Sequence, residues 1–329
     1  MNGVALVTGA SGFLGRSLVA ALLAQGRPVV AFCREPAALA DLRHPDLRIA
    51  AGDLRNPQSY APLLAETASV FHLAALRNHP RARAREMEEI NAGATVALAR
   101  RAGEAGVARF VNVATALIYG PSQDGMRTEA DSLEGAFGVY ARSKAKAVRE
   151  IRELARAGLP AVTVCPALVF GPDHPSRPNR ITSEIRRLLR GGPRVLVAGG
   201  LNPRNLVFVD DVVHGLLAAE RCGRVGEEYL LGGEEVSQRE FNQRVLAAAA
   251  IRGGPGVRIP ARLALAAARA ADRLYGCDPG CGYTTAVQVL LSGWRFHSGK
   301  ACRDLGFRPR GLAEALARTI EWIREGEFR

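Results

Sequence analysis

Tyr140 and Lys144 stand four residues apart in Tyr140-Ala141-Arg142-Ser143-Lys144, a spacing that puts both on one face of a helix. A phenol titrates at about 10, too high for proton exchange near neutrality, and a nearby ammonium favours its ionised form. Lysine suits that task better than arginine, because its compact charge also bonds a sugar hydroxyl. The competing reading is an exposed Tyr/Lys pair on a solvated helix, and on this motif alone it is strong. A third group follows the strand-like run Phe110–Ala114. Thr115 sits where that strand should open on a cleft, and its hydroxyl is a candidate to hold a carbonyl or alcohol oxygen near Tyr140. A threonine there is more often a strand-end cap.

A second constellation begins the chain. The strand-like run Val4–Thr8 leads straight into Gly9-Ala10-Ser11-Gly12-Phe13-Leu14-Gly15, and a helical pattern starts at once. Glycine serves where the chain reverses tightly and where backbone must approach a pyrophosphate without a Cβ in the way. The free amides of the following helix favour phosphate. A glycine triplet alone is weak, but between a strand and a helix it points to a dinucleotide. The next strand ends in Phe32-Cys33-Arg34-Glu35. An acid there would bond the ribose 2′-hydroxyl of NAD, whereas Arg34 suits the 2′-phosphate of NADP. The cofactor expected is therefore NADP, with NAD possible. In so arginine-rich a chain, a merely exposed Arg34 is the alternative.

These residues must be positioned by a fold, and the 329-residue chain is long enough for one large domain or two intimate ones. Short β-branched runs at 4–8, 29–33, 47–51, 70–73, 110–114 and 162–166 alternate with amphipathic segments such as Leu14–Gln25 and Thr95–Ala105. That alternation predicts an α/β fold, a doubly wound parallel sheet with helices on both faces. After Pro166 helical patterns dominate, at 181–190, 212–220, 238–250, 261–275 and 312–325. Residues 1–166 are thus expected to bind the dinucleotide, and 167–329 to form a smaller, mainly helical substrate lobe. Its short strands near Val195–Val197, Leu206–Phe208 and Tyr229–Leu231 should interleave with the first part.

Composition excludes some classes. No run of about 18 apolar residues predicts a membrane span, and no basic and apolar leader predicts a signal peptide. Six scattered cysteines suit reduced thiols in a cytoplasm. Cys277 and Cys281 form a lone pair that lacks further ligands, so no metal is expected. The net charge is +12, yet of 44 basic residues only Lys144, Lys146 and Lys300 are lysine. The arginine bias reads as codon usage, which makes the charge poor evidence for nucleic acid. Aromatics are 6%, with no base-stacking basic patch, so no nucleic-acid partner is expected.

Taken together, these residues resemble the extended short-chain dehydrogenase/reductase family, with dihydroflavonol-reductase-like features. The motifs span nearly the whole chain: Thr8–Gly15, Gly52-Asp53-Leu54, His72-Leu73-Ala74-Ala75, Asn91 with Gly93-Ala94-Thr95, Thr115 with Tyr119-Gly120, and Tyr140–Lys144. Pro166 with Phe170-Gly171-Pro172, the run Arg204–Val212, and Lys300 leading to Leu305-Gly306-Phe307-Arg308-Pro309 complete them. The resemblance implies a Rossmann-type domain with Tyr140 as general acid/base, Lys144 tuning it and holding the nicotinamide ribose, and Thr115 orienting the reacting oxygen. It implies that Gly9, Ser11, Gly12, Phe13, Leu14 and Gly15 hold the pyrophosphate, that Asp53 and Leu54 border the adenine, and that Leu73, Ala74, Ala75 and Pro166 line the nicotinamide half. It also implies a homodimer through the helices that follow the fourth and fifth strands.

Three departures stand out. Ala116 and Leu117 replace the Asp-Glu pair of the family's nucleotide-sugar dehydratases, which argues against elimination chemistry. Cys165 replaces a common arginine before Pro166, and Val148 replaces the glutamate usual four residues after the lysine. In the lobe, Arg177, Arg180, Arg186, Arg187, Arg190, Arg194 and Arg204 face only Asp173 and Glu184, which suits an anionic small-molecule substrate. In the family's nucleotide-sugar enzymes the arginine matching Arg204 touches the diphosphate and an Asn like Asn179 lies nearby. For helix 181–190 a charged outer face is an equal alternative. The basic stretch Arg77–Arg85, with Arg81 and Arg85 on one helical face, reads as solvated decoration. The activity expected is a hydride transfer at one carbinol or carbonyl carbon, as a nucleotide-sugar epimerase or reductase. A dihydroflavonol-reductase-like or hydroxysteroid-dehydrogenase-like reductase of an apolar ketone or aldehyde is the alternative. A non-catalytic dinucleotide-binding regulator ranks below both.

Overall fold

A computed structural model describes residues 3–79, 82–122, 125–173, 179–253 and 256–327. Arg81 and Arg177 lie outside them. The first half runs β1 (Val4–Thr8), α1 (Phe13–Ala24), β2 (Val29–Cys33), β3 (Leu47–Ala51), α2 (Ala61–Leu64), β4 (Thr67–His72), α3 (Ala84–Glu88), α4 (Thr95–Glu104), β5 (Arg109–Val113), α5 (Gly138–Arg156) and β6 (Ala161–Pro166). The second runs β7 (Leu168–Phe170), α6 (Arg180–Leu189), β8 (Val195–Val197), β9 (Pro203–Phe208), α7 (Val209–Cys222), β10 (Glu228–Leu231), β11 (Glu234–Ser237), α8 (Gln238–Ala248) and β12 (Val257–Ile259). It ends in α9 (Ala261–Leu274), α10 (Gly282–Leu291), α11 (Gly299–Leu305) and α12 (Leu312–Glu327).

Seven strands form one parallel sheet in the order β10-β6-β5-β4-β1-β2-β3. Chain order reverses between β1 and β4, and in such sheets the crevice beyond the strand ends at that point receives ligand. Every residue of β2, β5 and β6 is buried, as expected of strands covered on both faces. Alternation along β1 divides the two cores. Ala5 and Val7 pack with Leu18 and Leu22 of α1 and Val212 and Leu216 of α7. Leu6 points the other way, with Leu98 of α4 and Ile151 of α5.

β10 lies far along the chain yet completes this sheet beside β6. The interleaving expected for Tyr229–Leu231 is therefore present. The other late strands form two small sheets, β11-β9-β7 and β12-β8. A separate core joins Phe170, Ile185, Phe208, Phe241, Leu316 and Ile320 across α6, α8 and α12. The patterns missed α10 and α11. Most of α10 is half-buried, which leaves no clean apolar stripe to read.

One buried ion pair fastens α7 to the sheet. Arg27 Nη1 donates to Glu220 Oε2 at 2.8 Å, with side chains 8% and 3% exposed. Arg109 Nε donates to the Glu220 carbonyl at 2.9 Å and so meets the free end of α7. Removing one partner leaves the other charge buried and uncompensated. Arg27→Ala should therefore cost about 3–5 kcal/mol in urea unfolding. A loss under about 1 kcal/mol would mean that Glu220 is not held as a buried charge.

Candidate active site

The glycine turn occupies the reversal point. Gly9 has φ +69°, and a Cβ there would sit 2.7 Å from Ala74 Cα and N. A Cβ on Gly15 would lie 2.2 Å from the Gly9 carbonyl oxygen. Both glycines are thus required by packing of the turn against β4 and α1. Gly12 is different. It is exposed, it caps α1 without a side-chain bond, and a Cβ there would meet only the Gly9 oxygen at 3.2 Å. The first amides of α1, from Phe13, Leu14 and Gly15, are left for an anion. Ser11 is half-buried beside them. This cradle fits a dinucleotide pyrophosphate.

Around it, Arg34 is exposed just past β2. Asp53 follows β3, and Arg55 clamps its carboxylate through Nη2 at 2.6 Å. That hydrogen bond is the main reason the Asp53 carboxyl is held low, and Arg34 adds to it through its charge. Leu54 is buried beside Asp53, while Leu73, Ala74 and Ala75 continue β4 as a half-buried rim. Pro166 ends β6 opposite Leu231.

Thr115, Tyr140 and Lys144 come from β5 and α5. Thr115 is 9% exposed, and its Oγ1 accepts from the Leu117 amide at a long 3.4 Å. It therefore does cap the turn Ala116–Tyr119 that leaves the strand. Lys144 is 2% exposed, and its Nζ donates to the Val113 carbonyl at 2.9 Å, at the end of β5. Burial depresses its pKa to about 8. Tyr140 is half-buried and packs against Leu76, Val139 and Cys281.

The ammonium effect expected on Tyr140 is not what the free chain displays. Burial pushes its phenol up, and the cation that opposes this is Arg77. Lys144 is turned to the β5 carbonyl instead. Arg77, the first residue of the basic stretch Arg77–Arg85, is exposed, and its charge nevertheless reaches Tyr140. Arg83 also has a structural task, donating to Gly276 O at 2.8 Å and pairing with Asp278 at 3.0 Å. Arg85 is exposed.

A chain of buried polar groups connects the glycine turn to α5. Thr95 Oγ1 donates to the Asn91 carbonyl at 2.9 Å. His72 Nε2 therefore donates to Thr95 Oγ1, and its Nδ1 accepts from Thr8 Oγ1, each at 2.8 Å. Burial, with the charge of Lys144, holds the His72 pKa down at about 3, so the ring is neutral. Asn91 lies in a π-helical turn between α3 and α4. Its amide receives the Leu76 N–H at 2.7 Å and donates to Leu76 O at 2.8 Å and Ser143 Oγ at 3.1 Å. Ser143 then bonds the Tyr140 carbonyl at 2.8 Å. The sequence reading quoted Asn91 and His72 only as parts of motifs. A histidine ending an otherwise uncharged, largely buried strand was the signal available.

The two departures that lacked an account share one apolar cluster. Val148 and Cys165 are both wholly buried among Tyr119, Ala145 and Leu230. Two buried charged positions have thus become apolar together, so neither is left unpaired. Burial pushes the Cys165 thiol well up, which makes it a poor nucleophile. The other lysines are also placed. Lys146 pairs with Glu88 at 2.7 Å, and Lys300 holds Glu227 at 2.5 Å and the Glu228 carbonyl at 2.7 Å along β10.

In the lobe, Asn179 is consumed as the cap of α6. Its Oδ1 accepts from the Ile181 and Thr182 amides, each at 3.0 Å. Arg204 is 6% exposed, pairs with Glu184 at 3.2 Å, and stacks 5.0 Å over Phe241. Its Nε and Nη2 are buried with no hydrogen-bond partner among the described residues.

Burial of Lys144 is directly measurable, because three lysines give three Cε resonances in a lysine-labelled sample. One should titrate with a midpoint near about 8. Above that midpoint the unfolded chain still binds a proton that the folded chain has lost. Wild-type stability should therefore climb between about pH 8 and 10.5 relative to Lys144→Met. A Lys144 signal at the ordinary lysine value would contradict the buried placement.

The profile of the NAD dependent epimerase/dehydratase family matches residues 5–232. Sterol demethylase protein B of Methylococcus capsulatus is 32% identical over 97% of this chain and 98% of its own length. A dTDP-glucose 4,6-dehydratase of Streptomyces griseus is 31% identical over 97% and 94%. A crystal structure of a DesIV double mutant, a dTDP-glucose 4,6-dehydratase from Streptomyces venezuelae with NAD and DAU bound, superposes with TM-score 0.78 at 30% identity, covering 98% of this chain and 97% of that one. With its seven-stranded Rossmann-like sheet and its glycine turn at the reversal point, the chain belongs to the NAD-dependent epimerase/dehydratase family and is a nicotinamide-dependent enzyme of the oxidoreductase/epimerase kind.

Proposed function

We propose that the chain transfers hydride at one carbinol or carbonyl carbon of an anionic substrate, as a nucleotide-sugar epimerase or reductase using NADP(H). The observation that carries the anionic reading is Arg204, buried with two nitrogens unmatched and Glu184 as its ion-pair partner among the described residues. An unpaired buried guanidinium edge is costly, and a diphosphate would satisfy it in bidentate fashion. Arg180 is within electrostatic reach of the same pair and adds positive charge. Asn179 takes a positioning part in this account, since its cap sets the first turn of α6.

The roles follow the geometry. Gly9, Gly12 and Gly15 shape the pyrophosphate cradle, with Ser11, Phe13 and Leu14 at its edge. Asp53 and Leu54 border the adenine, and Leu73, Ala74, Ala75 and Pro166 border the nicotinamide. When bound, the nicotinamide supplies the hydride or accepts it. Tyr140 then gives or takes the hydroxyl proton, and Thr115 Oγ1, weakly engaged at 3.4 Å, turns to hold the reacting oxygen. Lys144 holds the ribose and adds the cation that lowers the Tyr140 pKa in the complete site. Ala116 and Leu117 offer no proton carrier for elimination, so dehydratase chemistry is not proposed. Residues 1–166 bind the dinucleotide, and 167–329 close over the substrate with β10 returned to the main sheet. We take the pairing face to be α4 and α5, and the working form to be a homodimer.

A second reading, reduction of an apolar ketone, is favoured by the likeness to sterol demethylase protein B and by the apolar pair Val148 and Cys165. Thermal shift with NADPH separates the two. UDP- and dTDP-sugars should add protection that Arg204→Gln removes, whereas protection by steroid or flavonoid ketones alone would favour the second reading. Tyr140→Phe should bind NADPH with nearly unchanged affinity and lose turnover by at least about a hundredfold. Turnover within a few-fold of wild type would refute the acid–base role. Arg34→Asp should reverse the preference from NADPH to NADH, and an unchanged ratio of affinities would remove the case for the 2′-phosphate.

A further inference from the structure

Helix α9 turns one side to the protein and leaves the other uncovered. Its inner side carries Ala268, 6% exposed, and Asp272. The Asp272 carboxylate accepts the Tyr283 and Thr284 amides at 2.7 and 2.9 Å, which pins α9 to the first turn of α10. At about 100° per residue, Leu263, Ala266, Ala267, Ala270 and Leu274 fall on the opposite side, and all are exposed. Leu263 is 59% exposed and Leu274 78%. Tyr275, 64% exposed, follows them and rests against the Tyr283 ring at 5.8 Å. Arg262, Arg269 and Arg273 run along one edge of this stripe, all exposed, and none is paired with an acid among the described residues.

We propose that this face docks on the headgroup layer of an anionic lipid bilayer, with α9 lying in the plane of the interface. An apolar stripe bordered by arginines and ended by aromatic rings meets both halves of such a surface. Leucines enter the acyl boundary while guanidinium groups stay among phosphates. A second copy fits poorly. Two-fold pairing sets the same face against itself, and the face holds no carboxylate to answer the arginines of both copies. No helix of the described residues is long and apolar enough to cross a membrane, and an interfacial helix needs no such length.

The surface is one short segment from the catalytic candidate. Residues 275–281 connect α9 to α10, the Val139 amide donates to Gly280 O at 3.1 Å, and the amide of Gly282, which opens α10, donates to Asn78 Oδ1 at 3.1 Å. Docking therefore brings the candidate site at Tyr140 close to the lipid surface. This last step rests on the proposed role of Tyr140; the docking does not.

The test is co-sedimentation of the full chain with phosphatidylcholine vesicles, with and without phosphatidylglycerol. The chain should pellet with the anionic vesicles, not with the neutral ones, and should be released by high salt. The triple variant Arg262→Gln, Arg269→Gln, Arg273→Gln should bind on the order of a hundredfold more weakly. Leu274→Glu, with the arginines intact, should lose about tenfold. Circular dichroism should show both variants folded, since every changed residue is exposed. Three outcomes overturn the proposal: no binding to anionic vesicles, binding that survives the triple variant, or binding indifferent to Leu274→Glu. Self-association that the triple variant abolishes, without vesicle binding, would assign the face to a second copy instead.

Discussion

An ammonium group taken out of water must be given polar partners or surrender its proton, and Lys144 is placed between those outcomes. It is 2% exposed, with the Val113 carbonyl at 2.9 Å as its described partner and a pKa depressed to about 8. Much of the surrounding structure serves that placement. β5 must end where its last carbonyl meets Nζ, and α5 must be held against it. His72 must remain neutral, because a second cation beside Lys144 would drive the proton off it. An ammonium has three N–H donors, so Nζ can serve a further acceptor besides the Val113 carbonyl, as the proposed function requires of it.

The same constraint explains the buried polar line from Thr8 through His72, Thr95 and Asn91 to Ser143. Each member satisfies the next, so none is left as a buried unmatched group. The line ties the end of β1, where the glycine turn begins, to the helix that carries Tyr140 and Lys144. Cofactor cradle and acid–base pair are thus set by one hydrogen-bonded frame rather than by independent loops. Arg204 is the opposite case, a buried cation whose pairing is unfinished. Arg204 shares this with a few other buried groups, Arg27 and Arg310 among them, but those lie away from the glycine turn and α5.

Much of this was legible in the residues. The alternation of short apolar runs placed β1, β2 and β3 to the residue; β2 is buried throughout and reads as a continuous apolar segment, while β3, at the sheet edge, is only partly covered. The glycine turn was legible because its spacing follows from packing, as the contacts at Gly9 and Gly15 demonstrate. Other features depend on tertiary neighbours that no local pattern encodes. Val148 and Cys165 looked like two unrelated oddities until the fold put them in one cluster. Arg77 looked like surface decoration, yet the turn after β4 brings its charge to Tyr140. Asn179 looked like a ligand contact, and its side chain is spent on capping α6. The Tyr140 phenol was expected low from the lysine spacing alone, but desolvation dominates in the free chain.

Of the 44 basic residues, 41 are arginine, so the lysine at 144 stands against a strong compositional bias. The account attributes this to geometry. A planar guanidinium does not fit a wholly buried position that serves the Val113 carbonyl and, in the proposed function, a ribose hydroxyl as well. The dissociation constant of NADPH for Lys144→Arg against wild type tests this most directly. The arginine variant should bind at least about tenfold more weakly, comparably to Lys144→Met, with the fold intact. Equal affinity of Lys144→Arg and wild type would contradict it.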